Sequence, residues 1–341
     1  MAGASSSAAG PPAHPFPKHV ALAPGTLLPS HRTEAQRDDD VRALYDAWKL
    51  RYLVEAGTEP DGHPRYRVRT ARTTTADTVS EGQGFGMVIV PLMAGYDPDA
   101  QTIFDGLWEF SKDHRSLIDP RLMDWKVPAN EGADNAGDDS AFDGDCDIAF
   151  GLLLAAAQWG NGGRFDYGAG AATVIAGIAA STIGPASRLP LLGDWVDPNG
   201  TPYSQYTTRT SDFMLDNFRA FGQATGDPVW NQVIAATQAA VTHVQAAFSP
   251  ATGLLPDFLQ PVSASDPSLR PASQHFLEGP FDGDYYYNAV RDPWRLGVDA
   301  AVNGDAVSRA QVRAMSQWAA AAAGGDPNQV KAGHRLDGTL L

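Results

Sequence analysis

The sequence predicts an all-α fold in which the helices close into a toroid. Several segments repeat apolar residues at helical spacing, and helices of similar length recur at intervals of a few tens of residues. Alternating strand patterns are scarce, and the chain has none of the short solenoid signatures. We therefore expect a disordered leader over residues 1–15 and a single helical domain over residues 16–341.

The predicted helices are separated mainly by loops rich in Gly, Pro and Asp. The first has Asp38–Asp40 near its N-terminal end, where acidic groups suit the helix dipole, and an apolar stripe that we expect to pack on a core. The stripe consists of Val41, Leu44, Tyr45, Trp48 and Tyr52. The other helices are expected at Glu81–Gly95, Ile103–Lys112, Cys146–Trp159, Ala171–Ile183, Asp212–Ala224, Val229–Phe248, Asn288–Val302 and Ala310–Ala323.

Three long segments between these helices predict loops that are either functional or disordered. They are Asp113–Asp143, Pro185–Ser211 and Pro250–Tyr285, and each is polar with interspersed Trp or Phe. Connections of this length are uncommon in compact domains unless they bind something or lack order.

Composition excludes several classes of protein. The net charge of −15, with no cluster of Lys and Arg, argues against a nucleic-acid partner and suits a neutral or cationic one. No apolar run approaches the roughly 18 residues of a membrane span. The single cysteine, Cys146, excludes a disulfide framework and a multi-cysteine metal site, so we expect a small buried thiol.

The first group of candidate catalytic residues is Ser80–Met87, in which three glycines follow Glu81 just before an apolar helix. Such a turn lets a ligand approach closely. The alternative is purely structural, because Ser80 and Gln83 match a capping box and Glu81 suits the helix dipole. For Glu81 to act as a general acid, burial or a second carboxylate must keep its proton on.

The second group is Ala141–Ala149, where Asp143, Asp145 and Asp147 crowd the start of a helix. An EF-hand is rejected, because its sixth and twelfth positions hold Ile148 and Leu154 instead of Gly and Glu. N-terminal capping by Asp143 or Asp145 remains an alternative. So does a metal-dependent hydrolase built on these aspartates, although no set of neighbouring histidines supports it.

The third group is Phe276–Arg295, in which aromatic rings alternate with carboxylates from an acidic loop into a helix. Pyranose faces stack on Tyr and Trp, while carboxylates and Arg bind sugar hydroxyls. An aromatic core cluster is the structural alternative.

These three segments together resemble glycoside hydrolase family 8, which has the patterns SEGQG-[FY]-GM, A-x-DGD-x-DIA and YYYNA-x-R-x-PWR in this order. Further similarity lies at Leu122–Trp125, Leu192–Trp195, Thr208–Asp212 and Arg335–Thr339. The resemblance implies an (α/α)6 barrel with an open cleft and inverting hydrolysis of a β-1,4-linked polysaccharide, with no metal or other cofactor. Family members usually continue past the last segment, so we expect a barrel that lacks its final helices or closes differently.

The resemblance also assigns roles to single residues. Glu81 matches the family's proton donor, and Asp143 matches the carboxylate that binds the distorted sugar, which makes it the partner that could raise the pKa of Glu81. The positions that match substrate-binding ones are Trp125, Trp195, Asp212, Tyr287, Asn288 and Arg291.

One departure concerns the general base. Many members have an aspartate where this chain has Asn288, and an amide cannot accept the proton. A subgroup with the same asparagine uses a glutamate on a loop just upstream, and Glu278 matches it, with Asp282 and Asp284 as further candidates. For inversion we expect the carboxyl groups of Glu81 and Glu278 to lie roughly 6.5–9.5 Å apart.

The resemblance implies that the substrate is chitosan, a β-1,4- or β-1,3-1,4-glucan, or xylan. Acidic loops favour the ammonium groups of chitosan, while neutral glucan suits the same aromatic side chains. We expect a secreted monomer without nucleic-acid or membrane partners, although the N-terminus shows no signal-peptide pattern. The alternative from another class is a non-catalytic carbohydrate-binding protein with a degenerate barrel.

Overall fold

The computed structural model describes residues 10–73, 75–132 and 137–341, and α-helices dominate this part of the chain. The helices are α1 (Glu34–Tyr52), α2 (Ser80–Leu92), α3 (Ala100–Asp113), α4 (Phe142–Trp159), α5 (Tyr167–Ser181), α6 (Leu215–Thr225), α7 (Val229–Ala247), α8 (Asp292–Val298) and α9 (Ala306–Ala322). A π-helical segment, Asp299–Asn303, continues α8. Each predicted helix overlaps one of these, and in the described part of the chain none is long and apolar enough to cross a membrane.

Short antiparallel strands, which the sequence did not indicate, connect the helices. The strands are β1 (Leu53–Thr58), β2 (Pro64–Val68), β3 (Thr78–Val79), β4 (Lys126–Val127), β5 (Thr208–Arg209), β6 (Phe258–Ser263) and β7 (Asp266–Pro271). They form the pairs β1–β2 and β3–β4 and the three-stranded sheet β5–β6–β7. The predicted loop Pro250–Tyr285 therefore contains a hairpin.

Contacts between Cα atoms divide the described chain into two compact units. The first contains the described residues up to Val20 together with Leu27–Ile178, and the second contains Ala21–Thr26 and Ala179–Leu341. Of the predicted leader, residues 1–9 lie outside the described part. The backbone N–H of Ala13 donates to the Gln158 carbonyl at 2.9 Å, so this end of the leader contacts α4.

In the first unit, the apolar stripe predicted for α1 is only partly buried. Tyr45 is buried, whereas Leu44 is 70% exposed and Val41 is exposed as well. Tyr45 and Lys49 both donate hydrogen bonds to the buried carboxylate of Asp97. Hydrogen bonds to Asp97 therefore help to hold this helix in place. The sequence predicted only apolar packing here.

In the second unit, α6 and α7 pack through aromatic rings. Trp230 of α7 stacks on Phe218 at 5.9 Å between ring centroids and meets Phe221 edge-on at 5.0 Å. A polar link joins α6 to the π-helical segment, because the guanidinium of Arg219 donates to both carboxylate oxygens of Asp299. A hydrophobic cluster of this unit contains Leu191, Leu192, Val196 and Phe258, and Trp195, Tyr203 and Phe276 pack against it.

Candidate active site

Glu81 lies in the first turn of α2, and β3 leads directly into this helix. Strand β4 pairs with β3, and the backbone N–H of Ser80 donates to the carbonyl of Trp125 at 2.9 Å. The indole of Trp125 is 36% exposed, which leaves a ring face for stacking. The strand pair thus places an exposed tryptophan beside the turn that carries the predicted acid.

Glycine contacts hold the start of α4 against the start of α2. A Cβ atom at Gly144 would lie 2.5 Å from the Cβ of Ser80, and one at Gly84 would lie 2.8 Å from the carbonyl oxygen of Gly144. These distances are too short for any side chain, so only glycine permits this approach. Asp143, which precedes Gly144 and is buried, is therefore brought to the turn that carries Glu81.

The capping alternatives predicted for these two turns are wrong. No side chain caps α2, and Gln83 instead accepts from the N–H of Val68 and donates to the carbonyl of Leu107, both at 2.9 Å. No side chain caps α4 either. Asp143 accepts from the adjacent N–H of Gly144, while Asp145 accepts from the N–H of Met123 at 2.8 Å.

Cys146 is a buried thiol, as predicted. Among the residues that the structure describes, no group of three or more His, Cys, Asp or Glu side chains is arranged to hold a metal ion.

The second unit contains Glu278, on the loop before α8. Its Oε1 accepts from Arg209 at 2.8 Å, and its Oε2 accepts from the side-chain amide of Asn288 at 2.8 Å. The side chain is nevertheless 47% exposed. The carboxylate is thus fixed by a donor on each oxygen while one side of it stays open to water.

Asp257 organises the backbone beneath this carboxylate, and sequence reasoning missed it. Its Oδ1 accepts from the backbone N–H groups of Tyr286, Asn288 and Ala289 at 3.0, 3.1 and 2.8 Å. Its Oδ2 accepts from the Asn288 amide at 3.3 Å. Burial raises the pKa of Asp257, the three backbone hydrogen bonds oppose this shift, and the charge of Glu278 adds to it.

Two further predicted residues belong to the same network. Arg291 donates to the Oδ1 of Asn288 at 3.0 Å and to the hydroxyl of Ser211 at 3.2 Å. A carboxylate oxygen of Asp212 lies 3.5 Å from the guanidinium of Arg209. Because Arg291 occupies the oxygen of Asn288, the amide NH2 group is turned toward Glu278 and Asp257.

The two further candidates for the base occupy different environments. Asp282 is buried, and its oxygens accept from the backbone N–H groups of Leu277, Glu278 and Gly279 at 2.7, 3.1 and 2.9 Å. It therefore shapes the loop of Glu278. Burial raises the pKa of Asp284, with Arg335 opposing the shift. Neither carboxylate matches the position of Glu278 between a guanidinium and an amide.

The remaining predicted sugar-binding aromatics differ in exposure. Tyr287 is 69% exposed and meets Tyr286 edge-on at 4.6 Å. Trp195 is half-buried and packs edge-on against Tyr203 at 5.3 Å, above the core of Leu191 and Phe258. The second unit thus combines an exposed ring near Asn288 with a supporting aromatic cluster.

This chain is similar to known glycoside hydrolases. A family model described as Glycosyl hydrolases family 8 matches residues 35–331. A β-glucanase of Niallia circulans is 41% identical over 330 residues, which cover 96% of this chain and 77% of the relative. An endoglucanase of Bacillus sp. (strain KSM-330) is 38% identical over 335 residues, or 96% and 69% of the two chains.

Solved structures support the same relationship. The apo structure of a β-1,3-1,4-glucanase from Paenibacillus sp. X4 matches with a TM-score of 0.89 and 40% identity, covering 96% of this chain and 83% of that one. A cold-adapted family 8 xylanase matches with a TM-score of 0.69 at 20% identity, covering 91% and 77%, and shares the fold. The predicted all-α fold class of (α/α)6 type is confirmed.

Proposed function

Because this chain belongs to glycosyl hydrolases family 8 and is therefore an enzyme that acts on glycosidic bonds, we propose that it cleaves β-1,4 linkages within glucan chains by inversion. The proposed substrates are β-1,4-glucan and mixed-linkage β-1,3-1,4-glucan. In support, its relatives include a β-glucanase, an endoglucanase and a β-1,3-1,4-glucanase.

In the proposed reaction, Glu81 gives its proton to the glycosidic oxygen as the bond to the anomeric carbon breaks. Glu278 takes a proton from the water whose oxygen attacks that carbon from the opposite face. One displacement inverts the anomeric configuration and forms no covalent glycosyl-enzyme. We assign Asp143, which is buried at the start of α4 beside this turn, to binding the distorted sugar next to the scissile bond.

The observation that carries this proposal is the position of Glu278 between Arg209 and Asn288. Two donors orient the carboxylate, and the exposed side of the group admits the water that a base must reach. Asn288 cannot itself take the proton, but it orients the residue that can. We assign Asp257 as a positioning residue, because it fixes both the backbone and the amide of Asn288.

The choice between polysaccharides is part of the proposal. Activity on chitosan stays a prediction from the acidic composition. Trp125 and Tyr287 are the exposed rings to which we assign sugar stacking, with Arg291 and Asp212 in the polar network beside the base. Since β-1,4- and mixed-linkage β-glucans are cell-wall polymers that lie outside the cell membrane, we infer that the protein is exported.

A substrate panel tests the proposed function. Reducing ends are measured on barley β-glucan, carboxymethyl cellulose and chitosan for the wild type and for Glu81→Gln, which keeps the size of the side chain but cannot give up a proton. We expect release from the two glucans and a loss of about 10²–10⁴-fold in the variant. Retarded migration in β-glucan gels without any release would instead support the carbohydrate-binding alternative, and release from chitosan alone would overturn the substrate assignment.

A further inference from the structure

A cavity of about 450 Å³ lies in the second unit, between the loop of residues 198–206 and the β6–β7 hairpin. Its volume falls within the usual range for small-ligand sites, about 300–1,000 Å³. Phe276 forms part of the wall and lies two residues before Glu278 in the chain. None of the residues described as lining it carries a charge at neutral pH, although the chain contains 65 charged side chains, 25 basic and 40 acidic.

The lining combines ring faces with hydrogen-bonding groups. Tyr206 and Phe276 are half-buried, while Asn199 and Thr201 are exposed at the rim. Half-buried rings present a face to a ligand, and amide and hydroxyl groups can bond its hydroxyls. A sugar without charged substituents, such as a glucose unit, matches this chemistry. The ammonium group of a glucosamine unit would find no carboxylate in the wall.

The walls are also fixed in advance. Pro198, Pro202, Pro261 and Pro267 restrict the backbone around the cavity. The side-chain oxygen of Gln260 accepts a hydrogen bond from the backbone N–H of Ser273 at 3.2 Å.

Two further bonds complete this framework. The side-chain oxygen of Gln205 accepts from the N–H groups of Ala186 and Ser187 at 2.7 and 3.0 Å. The hydroxyl of Tyr203 donates to the carbonyl of Phe276 at 2.9 Å and anchors the wall next to the loop of the base. Because these side chains and loops are already held in place, binding costs little conformational entropy. This favours affinity for a weakly interacting ligand such as a sugar.

We propose that this cavity is a subsite for neutral β-linked glucose units, in which Tyr206 is the stacking platform. The proposal rests on the proposed function, because it names where part of a glucan chain is held. Under this proposal, the uncharged lining of the cavity makes the enzyme prefer neutral glucan to chitosan. The residues that line this cavity take no part in the proposed hydrolytic step.

Calorimetric titration of Glu81→Gln with mixed-linkage gluco-oligosaccharides tests the subsite, because this background consumes the probe far more slowly than the wild type. Adding Tyr206→Ala should weaken binding roughly two- to tenfold, the range for one lost aromatic contact, whereas Tyr206→Phe should keep wild-type affinity. Ala264→Trp removes no contact but places a bulky ring on the exposed hairpin turn beside the cavity, and it should weaken binding similarly.

Unchanged affinity in both Tyr206→Ala and Ala264→Trp would overturn the subsite. Tighter binding of chitosan oligosaccharides than of gluco-oligosaccharides, lost in the same two variants, would overturn the assignment to a neutral sugar. Failure of the proposed function is recognised separately, since the wild type would then release no reducing ends from glucan, whatever the titrations show.

Discussion

The turn that carries Glu81 and the loop that carries Glu278 are held in place by different interactions. Backbone packing fixes the first, because Gly84 and Gly144 let α2 and α4 approach until no side chain fits between them. Polar side chains fix the second, through Arg209 and Asn288. The position of the proposed acid is therefore tied to the stability of the first unit, whereas the position of the proposed base depends on a few hydrogen bonds. Substitutions at the turn of Glu81 should therefore lower both stability and kcat, whereas substitutions near Glu278 should lower kcat with little effect on stability.

The largest expected effect is the loss of the base. Glu278→Gln should lower kcat by about 10²–10⁴-fold, because no carboxylate then takes the proton from water. Its melting temperature should stay close to that of the wild type, since the side chain is half-exposed. Asp284→Asn is the matched control on the same loop and should stay near wild-type activity. The reverse order of activities would assign the base to Asp284.

Next in size is Gly144→Ala, which tests the packing of the acid. The added Cβ would overlap Ser80, so the two helices must separate. Overpacking of this kind typically costs about 1–3 kcal/mol, and a misplaced acid should lower kcat by on the order of 10²-fold. The melting temperature, measured by circular dichroism, and kcat should therefore both decrease.

The control for this substitution is Gly162→Ala, because nothing lies within 4 Å of the position where its Cβ would be. It should change neither property. A Gly144→Ala protein with wild-type stability and activity would refute the idea that glycine packing positions Glu81.

A smaller effect is expected from Asp257→Asn. The new amide keeps an oxygen for the three backbone donors, but its nitrogen faces the amide nitrogen of Asn288, so donor meets donor. Asn288 should then turn and release Glu278, which should lower kcat about tenfold with little change in KM. Steady-state kinetics on barley β-glucan measure both constants. A higher KM with unchanged kcat would argue for a role in substrate binding rather than in positioning the base.

The smallest effect on activity is expected from Asp105→Asn, which should change stability alone. Burial raises the pKa of Asp105 to about 6, against the opposing hydrogen bond from Tyr167 and the charge of Arg164. The protonated form therefore stabilises the fold at low pH, and this contribution is lost as the pH rises from about 4 through 6. The asparagine variant should gain on the order of 2 kcal/mol over the wild type at pH 7 and little at pH 4. Urea unfolding at the two pH values measures the difference, and an equal gain at both would contradict the titration.

The sequence predicted the helices well because their apolar periodicity is long and local. The predicted helix Cys146–Trp159, for example, corresponds to α4, which begins one turn earlier at Phe142. The hairpin of β6 and β7 was missed, since prolines at 261, 267 and 271 argue against strands in a sequence-based prediction.

For the site, the motifs predicted roles for Glu81, Asp143 and Asn288, but they could not show what the side chains contact. Gln83 fits a capping box by spacing, yet it bonds to Val68 and Leu107, which are distant in sequence. Asp257 belongs to none of the sequence motifs. Its role is visible only in the folded structure, where three backbone N–H groups donate to its carboxylate. Contacts of this kind depend on the folded chain and are not encoded in local spacing.

The most direct test of hydrolysis by inversion is to record the anomeric configuration of the first product. Proton NMR of the wild type acting on a β-1,4-linked gluco-oligosaccharide, followed before mutarotation equilibrates the ends, distinguishes the two anomers. We predict that the newly formed reducing end appears first as the α-anomer, because water attacks opposite the leaving β-linked oxygen. Initial release of the β-anomer would show retention and would contradict the assignment of Glu278 as a base that activates water.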